Sequence, residues 1–236
     1  HFVARTAEGL AARGIEVVVV APHAKGSATR EMLRGVDVRR FRYGPASAER
    51  VAYGPGILSN IKRDPVAALM FPAFLLALRS ATKRAAREAD LLHVHWAQTA
   101  LAAGAGSRGT PLVITVHGSD LQLGRSKRLR WTLERPLRAA RAVMAVSADL
   151  AEQLRPYLPD GRVAEVVHGG VEASLLDRAA GASQPEAHQR QKVRILFVGR
   201  LVPEKGVHEL VTALSRIRTG FTLQIVGVGP ERDAMR

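Results

Sequence analysis

The feature that most constrains this chain is a repeated pair, a short β-branched run followed by a stretch with helical spacing. The runs are "EVVVVAP" (16–22), "LLHVHW" (91–96), "PLVITVHG" (111–118), "AVMAVS" (142–147), "VAEVVHGG" (163–170), "VRILFVGR" (193–200) and "FTLQIVGVG" (221–229). Most are near-continuously apolar rather than alternating, as expected of strands buried on both faces of a parallel sheet. Helical patterns fall at roughly 2–13, 65–89, 97–104, 127–140, 148–156 and 204–218. "VDVRRFRY" (36–43) alternates better and predicts a peripheral strand. The alternation predicts a doubly wound α/β architecture, in which ligands gather at the carboxyl ends of the strands.

The pattern lapses once, over "ASLLDRAAGASQPEAHQRQK" (173–192), and then restarts as strand, loop, helix, strand. This predicts a Rossmann-like domain over 1–172, an interdomain linker over 173–192, and the opening of a second domain over 193–236. His1 falls inside an amphipathic pattern that stops at Gly14, and Arg236 falls inside another helix-like segment. The expectation is a fragment of a longer protein, lacking the first strand of its first domain and most of its second.

Composition narrows the function classes. With no cysteine, disulfides and thiolate metal sites are excluded. Aromatics at 5% are sparse for a lectin or a base-stacking single-strand binder. The longest apolar run, "VAALMFPAFLLAL" (66–78), carries Pro72 and falls short of the ~20 residues of a membrane span. A cytoplasmic protein is expected. The net charge of +14 is spread over both halves, whereas a nucleic-acid binder more often concentrates charge in a tail or stripe. An anionic ligand, an anionic membrane surface or an arginine-rich proteome each fits that charge.

The chemistry is most legible in "FVGRLVPEKGVHEL" (197–210). Gly199 allows close backbone approach, and Arg200 stands at the carboxyl edge of a strand. Pro203 suits a helix first turn, which puts Lys205 near the positive end of that helix. A guanidinium, an ammonium and a helix N-terminus converging on one spot would suit a diphosphate. A surface pair between Arg200 and Glu204, with Lys205 solvated, fits the same residues. Elsewhere, His117 ends a buried strand and either caps it or contacts substrate. His93 and His95 share one face of their strand, but no convincing third ligand makes them a metal site. Gly227 and Gly229 form a G-x-G that a simple strand-to-helix turn would explain. Ser147 suits a helix N-cap.

The "VGRLVPEKG" string resembles the signature of family 4 glycosyltransferases of the GT-B fold. "EVVVVAP", "LLHVHWAQTALAAG", "PLVITVHGSDL", "AVMAVSADLAEQL", "VVHGGVE" and "LQIVGVGPER" resemble successive landmarks of that family, in order and over nearly the whole chain. The resemblance implies two Rossmann-like domains with parallel sheets, the second only partly present. It implies transfer of a sugar from a nucleotide-diphosphate donor to an acceptor hydroxyl, with retention of configuration and usually without an essential metal or cofactor. In such enzymes the residues matching Arg200 and Lys205 bind the diphosphate and stabilise the departing nucleotide, and the histidine matching His117 lies at the donor sugar. It further implies that Gly199, Gly227 and Gly229 lie near the nucleotide, with His95, Trp96 and Asp120 on the acceptor side. Asp120 equally suits a cap for the next helix. The isolated 236 residues are expected to be inactive.

Such enzymes often use lipid-linked acceptors. Basic residues cluster at Arg79, Lys83, Arg84 and Arg87, and again at Arg125, Lys127, Arg128 and Arg130. The two together suggest peripheral docking at the inner face of a membrane, although a solvated helix face explains the charges as well. Two rival functions share parts of this pattern: a GT-B sugar-nucleotide epimerase or hydrolase, and a basic nucleic-acid-binding α/β protein. No recognition motif supports the second, and no nucleic-acid partner is expected.

Overall fold

β-Branched runs become strands, and the stretches between them helices, throughout the computed structural model, which describes residues 2–54, 56–104, 109–170, 173–181 and 193–235. The chain divides into two units, His1–Gly170 and Val171–Arg236.

The first unit opens with α1 (Phe2–Ala11), β1 (Val17–Pro22), β2 (Arg30–Leu33), β3 (Val36–Phe41), α2 (Ile57–Arg63) and α3 (Pro65–Ala85). It continues through β4 (Leu92–His95), α4 (Ala97–Ala103), β5 (Leu112–Val116), α5 (Ser119–Gly124), α6 (Trp131–Ala139), β6 (Ala142–Ala145), α7 (Ala148–Leu154) and β7 (Glu165–Val166). Two sheets result, ordered β1-β3-β2 and β4-β5-β6-β7, and every pairing is parallel except that of β2 with β3.

The strand expected at the periphery is instead central: β3 lies between β1 and a strand the sequence did not reveal. That strand, β2, joins β3 through Arg34 and Gly35, both at positive φ (48° and 83°). Two consecutive left-handed residues form the tight turn whose twist matches a hairpin. Asp37 on β3 is held by both Arg30 (Nε to Oδ1 3.0 Å, Nη2 to Oδ2 2.8 Å) and Arg39 (Nε to Oδ2 2.8 Å). Those arginines hold its carboxyl below the usual range.

β5 is the centre of the second sheet. All five of its residues are buried, and Leu112, Ile114 and Val116 pack with Leu133 and Leu137 of α6, Val143 of β6 and Leu150 and Leu154 of α7. A separate core lies under α3, where Phe74 meets Tyr43 edge to face (5.2 Å between centroids, 89°) beside Phe41.

Helix α3 differs from the sequence expectation. Asp64 caps it by accepting from the amides of Val66 (2.9 Å) and Ala67 (3.4 Å), and Pro65 occupies the first turn. The helix then passes through Pro72 and on to Ala85, 21 residues in all, long and apolar enough by length and composition to cross a membrane. Pro72 is exposed, so water can solvate the carbonyl its ring leaves unbonded. One face is packed on the domain through Ala67, Phe74, Leu78 and Ala81.

In the second unit, α8 (Ala173–Gly181) occupies ground expected to be linker; its sequence, "ASLLDRAAG", is rich in good helix formers. The rest of the expected linker, 182–192, lies outside the described residues. β8 (Val193–Val198) and β9 (Phe221–Val226) pair in parallel, with α9 (Val207–Leu214) between them in sequence. Ile195 and Phe197 on one face of β8 are half-buried, while Leu196 and Val198 on the other are exposed.

Candidate active site

The carboxyl ends of β4 and β5 bring one cluster together. β4 and β5 run in parallel register with His93 beside Val113 and His95 beside Thr115. His93 and His95 share a face, as their spacing predicts, and their rings stack at 4.7 Å. His95 Nδ1 meets His117 Nε2 at 2.8 Å, and His93 Nε2 meets the Thr115 hydroxyl at 2.8 Å. Burial pushes all three imidazoles down. His95, further disfavoured as a cation by His93 and His117, falls to about 4. The cluster is therefore neutral near pH 7, able to hydrogen-bond a polar ligand but not to carry charge for it. Among the described residues, no group of three His, Cys, Asp or Glu side chains is arranged to hold a metal ion.

Trp96 follows His95 at a φ of 68°, a left-handed conformation that costs a non-glycine residue about 1–3 kcal/mol. Its amide donates to the Thr115 carbonyl (3.0 Å) and its indole N–H to the Ser119 hydroxyl (3.1 Å), which fixes the ring 4.8 Å from that of His117. Trp96 as a whole is 41% exposed, so the carboxyl end of β4 presents an aromatic residue to solvent.

Asp120 lies behind this residue and is 1% exposed. It sits in the first turn of α5, whose N-cap position is Gly118, so it is not that helix's cap. Its Oδ1 accepts from the Ala97 amide at the start of α4 (2.6 Å), and its Oδ2 from the His117 amide (2.9 Å). One carboxylate thus ties together two strand-to-helix junctions. Burial pushes the carboxyl up, opposed by the two amides. Gln98 donates to the Asp120 carbonyl (3.1 Å) and tightens the same junction. Ser119, Thr115 and Gln98 escaped the sequence reading, because their partners are 22 or 23 residues away in sequence. Ser147, by contrast, is the predicted N-cap: its hydroxyl accepts from Leu150 N–H (3.2 Å).

In the second unit, Gly199 and the exposed Arg200 follow β8 directly. Lys205 is exposed too, but it does not lie in the first turn of α9. Pro203–Lys205 form a separate 3₁₀ turn, and Gly206 at φ 68° redirects the chain before α9 begins at Val207. The side chain of Glu204 lies outside the described residues, so its pairing with Arg200 does too.

The glycine loop after β9 packs backbone to backbone on this segment. Gly199 N–H donates to the Val226 carbonyl (3.0 Å) and Leu201 N–H to the Val228 carbonyl (2.9 Å). A Cβ on Gly227 would lie 1.9 Å from the Gly199 carbonyl oxygen, and one on Gly229 would lie 2.1 Å from that of Leu201. Contact between the loops alone accounts for both glycines, and it sets the G-x-G beside the segment that carries Arg200.

Of the basic residues, Arg130 is exposed but engaged at the surface: it donates to Glu134 (2.6 Å) and the Pro156 carbonyl (2.6 Å) and covers the Tyr157 ring at 4.7 Å. Arg125 reaches Gln153 (3.0 Å). Lys83, Arg84, Arg87, Lys127 and Arg128 are exposed.

Comparison with known proteins supplies a wider frame. Residues 1–175 match the pattern described as Glycosyltransferase Family 4, and residues 182–236 match Glycosyl transferases group 1. The chain is 30% identical over 158 residues to TuaC of Bacillus subtilis (strain 168), whose name places it as a glycosyltransferase of teichuronic acid biosynthesis. It is 30% identical over 164 residues to glycogen synthase of Mycobacterium tuberculosis. The matched parts cover 62% and 61% of this chain but only 39% and 37% of those relatives. In fold it resembles sucrose-phosphate synthase from Thermosynechococcus elongatus (TM-score 0.66, 18% identity), over 98% of this chain and 57% of that one.

Proposed function

The chain belongs to Glycosyltransferase Family 4, whose pattern matches residues 1–175, and from this we propose that the protein moves a sugar from a nucleotide-diphosphate donor to an acceptor hydroxyl with retention of anomeric configuration. One observation carries the donor half of this reading. Gly199 and Arg200 leave the carboxyl end of β8 beside a glycine loop that lies backbone to backbone on the same segment, with Lys205 exposed nearby. Two exposed cations on such a segment suit a diphosphate, Arg as a planar fork and Lys as a point charge.

Arg200 and Lys205 neutralise the charge that grows on the diphosphate as the sugar–oxygen bond breaks. That electrostatic term is commonly the largest in catalysis that forms no covalent bond to the enzyme. Both residues are assigned this role in preference to a metal ion. His117 is assigned to the sugar. A neutral imidazole held by His95 can orient hydroxyls without attracting the anionic leaving group. Trp96, exposed at the end of β4, and His95 line the acceptor side. Asp120 acts behind them, as the brace that sets the height of His117. An acceptor presented at the cytoplasmic face of a membrane fits the basic character of the chain.

The test is calorimetric titration of the parent protein with UDP, GDP and ADP, beside an Arg200→Ala, Lys205→Ala variant. Binding of one diphosphate, lost in a variant that remains folded, is the expected outcome and identifies the donor base. Binding that survives both substitutions would remove these residues from the donor site, and no binding to any diphosphate would overturn the donor assignment.

A further inference from the structure

We propose that the outward face of α3 docks on an anionic lipid bilayer, with Leu69 and Leu76 entering the headgroup region between two cationic ends. Pro65, Leu69, Pro72, Leu76 and Lys83 fall within an arc of about 60° on the helix. The residues packed on the core, Ala67, Phe74, Leu78 and Ala81, lie on the opposite side. Leu69 is 79% exposed and Leu76 71%, so the centre of a long surface helix turns two large apolar side chains to water.

The charges are arranged around that centre. Exposed Lys62 and Arg63 precede the helix on α2, and exposed Lys83, Arg84 and Arg87 follow at its other end. Neither α2 nor α3 contains an acidic residue. The two nearest acids are occupied: Asp64 caps the helix, and Glu88 accepts from Arg39 (2.8 Å). A helix packed along one face, with an apolar centre and cationic ends on the other, is the pattern of a segment lying in a membrane interface. Its long basic side chains can reach lipid phosphates while the leucines enter the acyl boundary. Arg79 extends the same face but lies against Gly104, within 3.1 Å of where a Cβ would stand, and is assigned a packing role. This inference stands apart from the donor assignment and survives its failure.

The test is co-sedimentation of the full chain with vesicles of phosphatidylcholine alone and of equal parts phosphatidylcholine and phosphatidylglycerol. The wild-type protein is expected on the mixed vesicles only. The pair Leu69→Ser and Leu76→Ser, both exposed and so outside the core, is expected to weaken binding tenfold or more, roughly the burial of one leucine. Lys83→Glu with Arg84→Glu should weaken it more than Arg216→Glu with Arg218→Glu, an equal charge change on the second unit. Undiminished binding by the leucine pair, or equal losses from the two charge pairs, would overturn the proposal. So would a dimer in light scattering that the leucine substitutions dissociate, which would make a second copy the occupant of this face.

Discussion

His95 Nδ1 and His117 Nε2 stand 2.8 Å apart across the ends of two parallel strands, so a single proton lies between the rings. One nitrogen donates and the other accepts, which fixes the tautomer of each ring from the other. Burial, with His93 and His117 as neighbours, keeps His95 uncharged down to about 4.

That depressed value gives a pH dependence of stability. The unfolded chain takes up the proton first as pH falls, so the folded state is favoured most above the ordinary imidazole value. The contribution, about 3 kcal/mol at most and reduced by solvent screening because the ring is only partly buried, is complete above about 6.5 and lost as pH falls toward about 4. Urea midpoints measured across this window should fall for the wild-type protein and fall less for His95→Asn. Parallel profiles for the two would show that the ring is not buried as described.

Asp120 presents both carboxylate oxygens to backbone amides, and replacing it by asparagine sets an NH2 group against an N–H donor. The expected cost is about 2–3 kcal/mol in urea unfolding, since a buried donor is left without an acceptor. The loss should appear as faster hydrogen exchange at Ala97 and His117 in particular. Uniform loosening of the whole unit would argue against a local brace.

His23 and Glu49 form a buried pair: His23 Nδ1 contacts one carboxylate oxygen, and Tyr43 N–H donates to the other at 3.1 Å. Burial pushes the Glu49 carboxyl up, but His23, the Tyr43 amide and Arg42 outweigh it and hold the value below the usual range. The stability this lends is present above the ordinary carboxyl value and disappears as pH falls through the lowered one. Removing only the imidazole leaves a carboxylate whose side chain is 0% exposed, so His23→Ala should cost about 3–5 kcal/mol. His23→Ala with Glu49→Gln should recover part of it. A double variant no more stable than the single one would count against charge burial as the cause.

Gly227 and Gly229 should tolerate no side chain. Alanine at either would place its Cβ about 2 Å from a backbone oxygen, whereas alanine at Gly199 would meet only the Phe197 ring at 3.5 Å. Gly227→Ala and Gly229→Ala should therefore destabilise the second unit by more than about 2 kcal/mol, and Gly199→Ala by under about 1 kcal/mol. Chemical denaturation followed on residues of that unit separates the two cases. Equal effects at all three positions would mean the loops do not pack as described.

What the sequence alone determined was the repeating order of strands and helices. Buried parallel strands need unbroken apolar runs, and each run here stands within a few residues of its strand. It likewise set local capping, as at Ser147, because such a bond spans only three residues. The exposed pair Arg200 and Lys205 was legible for the same reason, as a short loop after an apolar run. Only the tertiary structure decided what depends on partners distant in the chain. Strand β2 is polar and exposed enough to pass for loop, and it forms because Arg34 and Gly35 turn it onto β3. Lys205 lies ahead of α9 rather than within it, because a left-handed Gly206 breaks the helical run. The joining of His95 to His117 and of Asp120 to Ala97 spans 22 and 23 residues, and no local pattern encodes it. The same holds for α3, whose apolar run does not itself show that Leu69 and Leu76 face outward while Phe74 and Leu78 are buried. Hydrophobicity specifies that a side chain can be buried, and only the packing of the other elements decides whether it is.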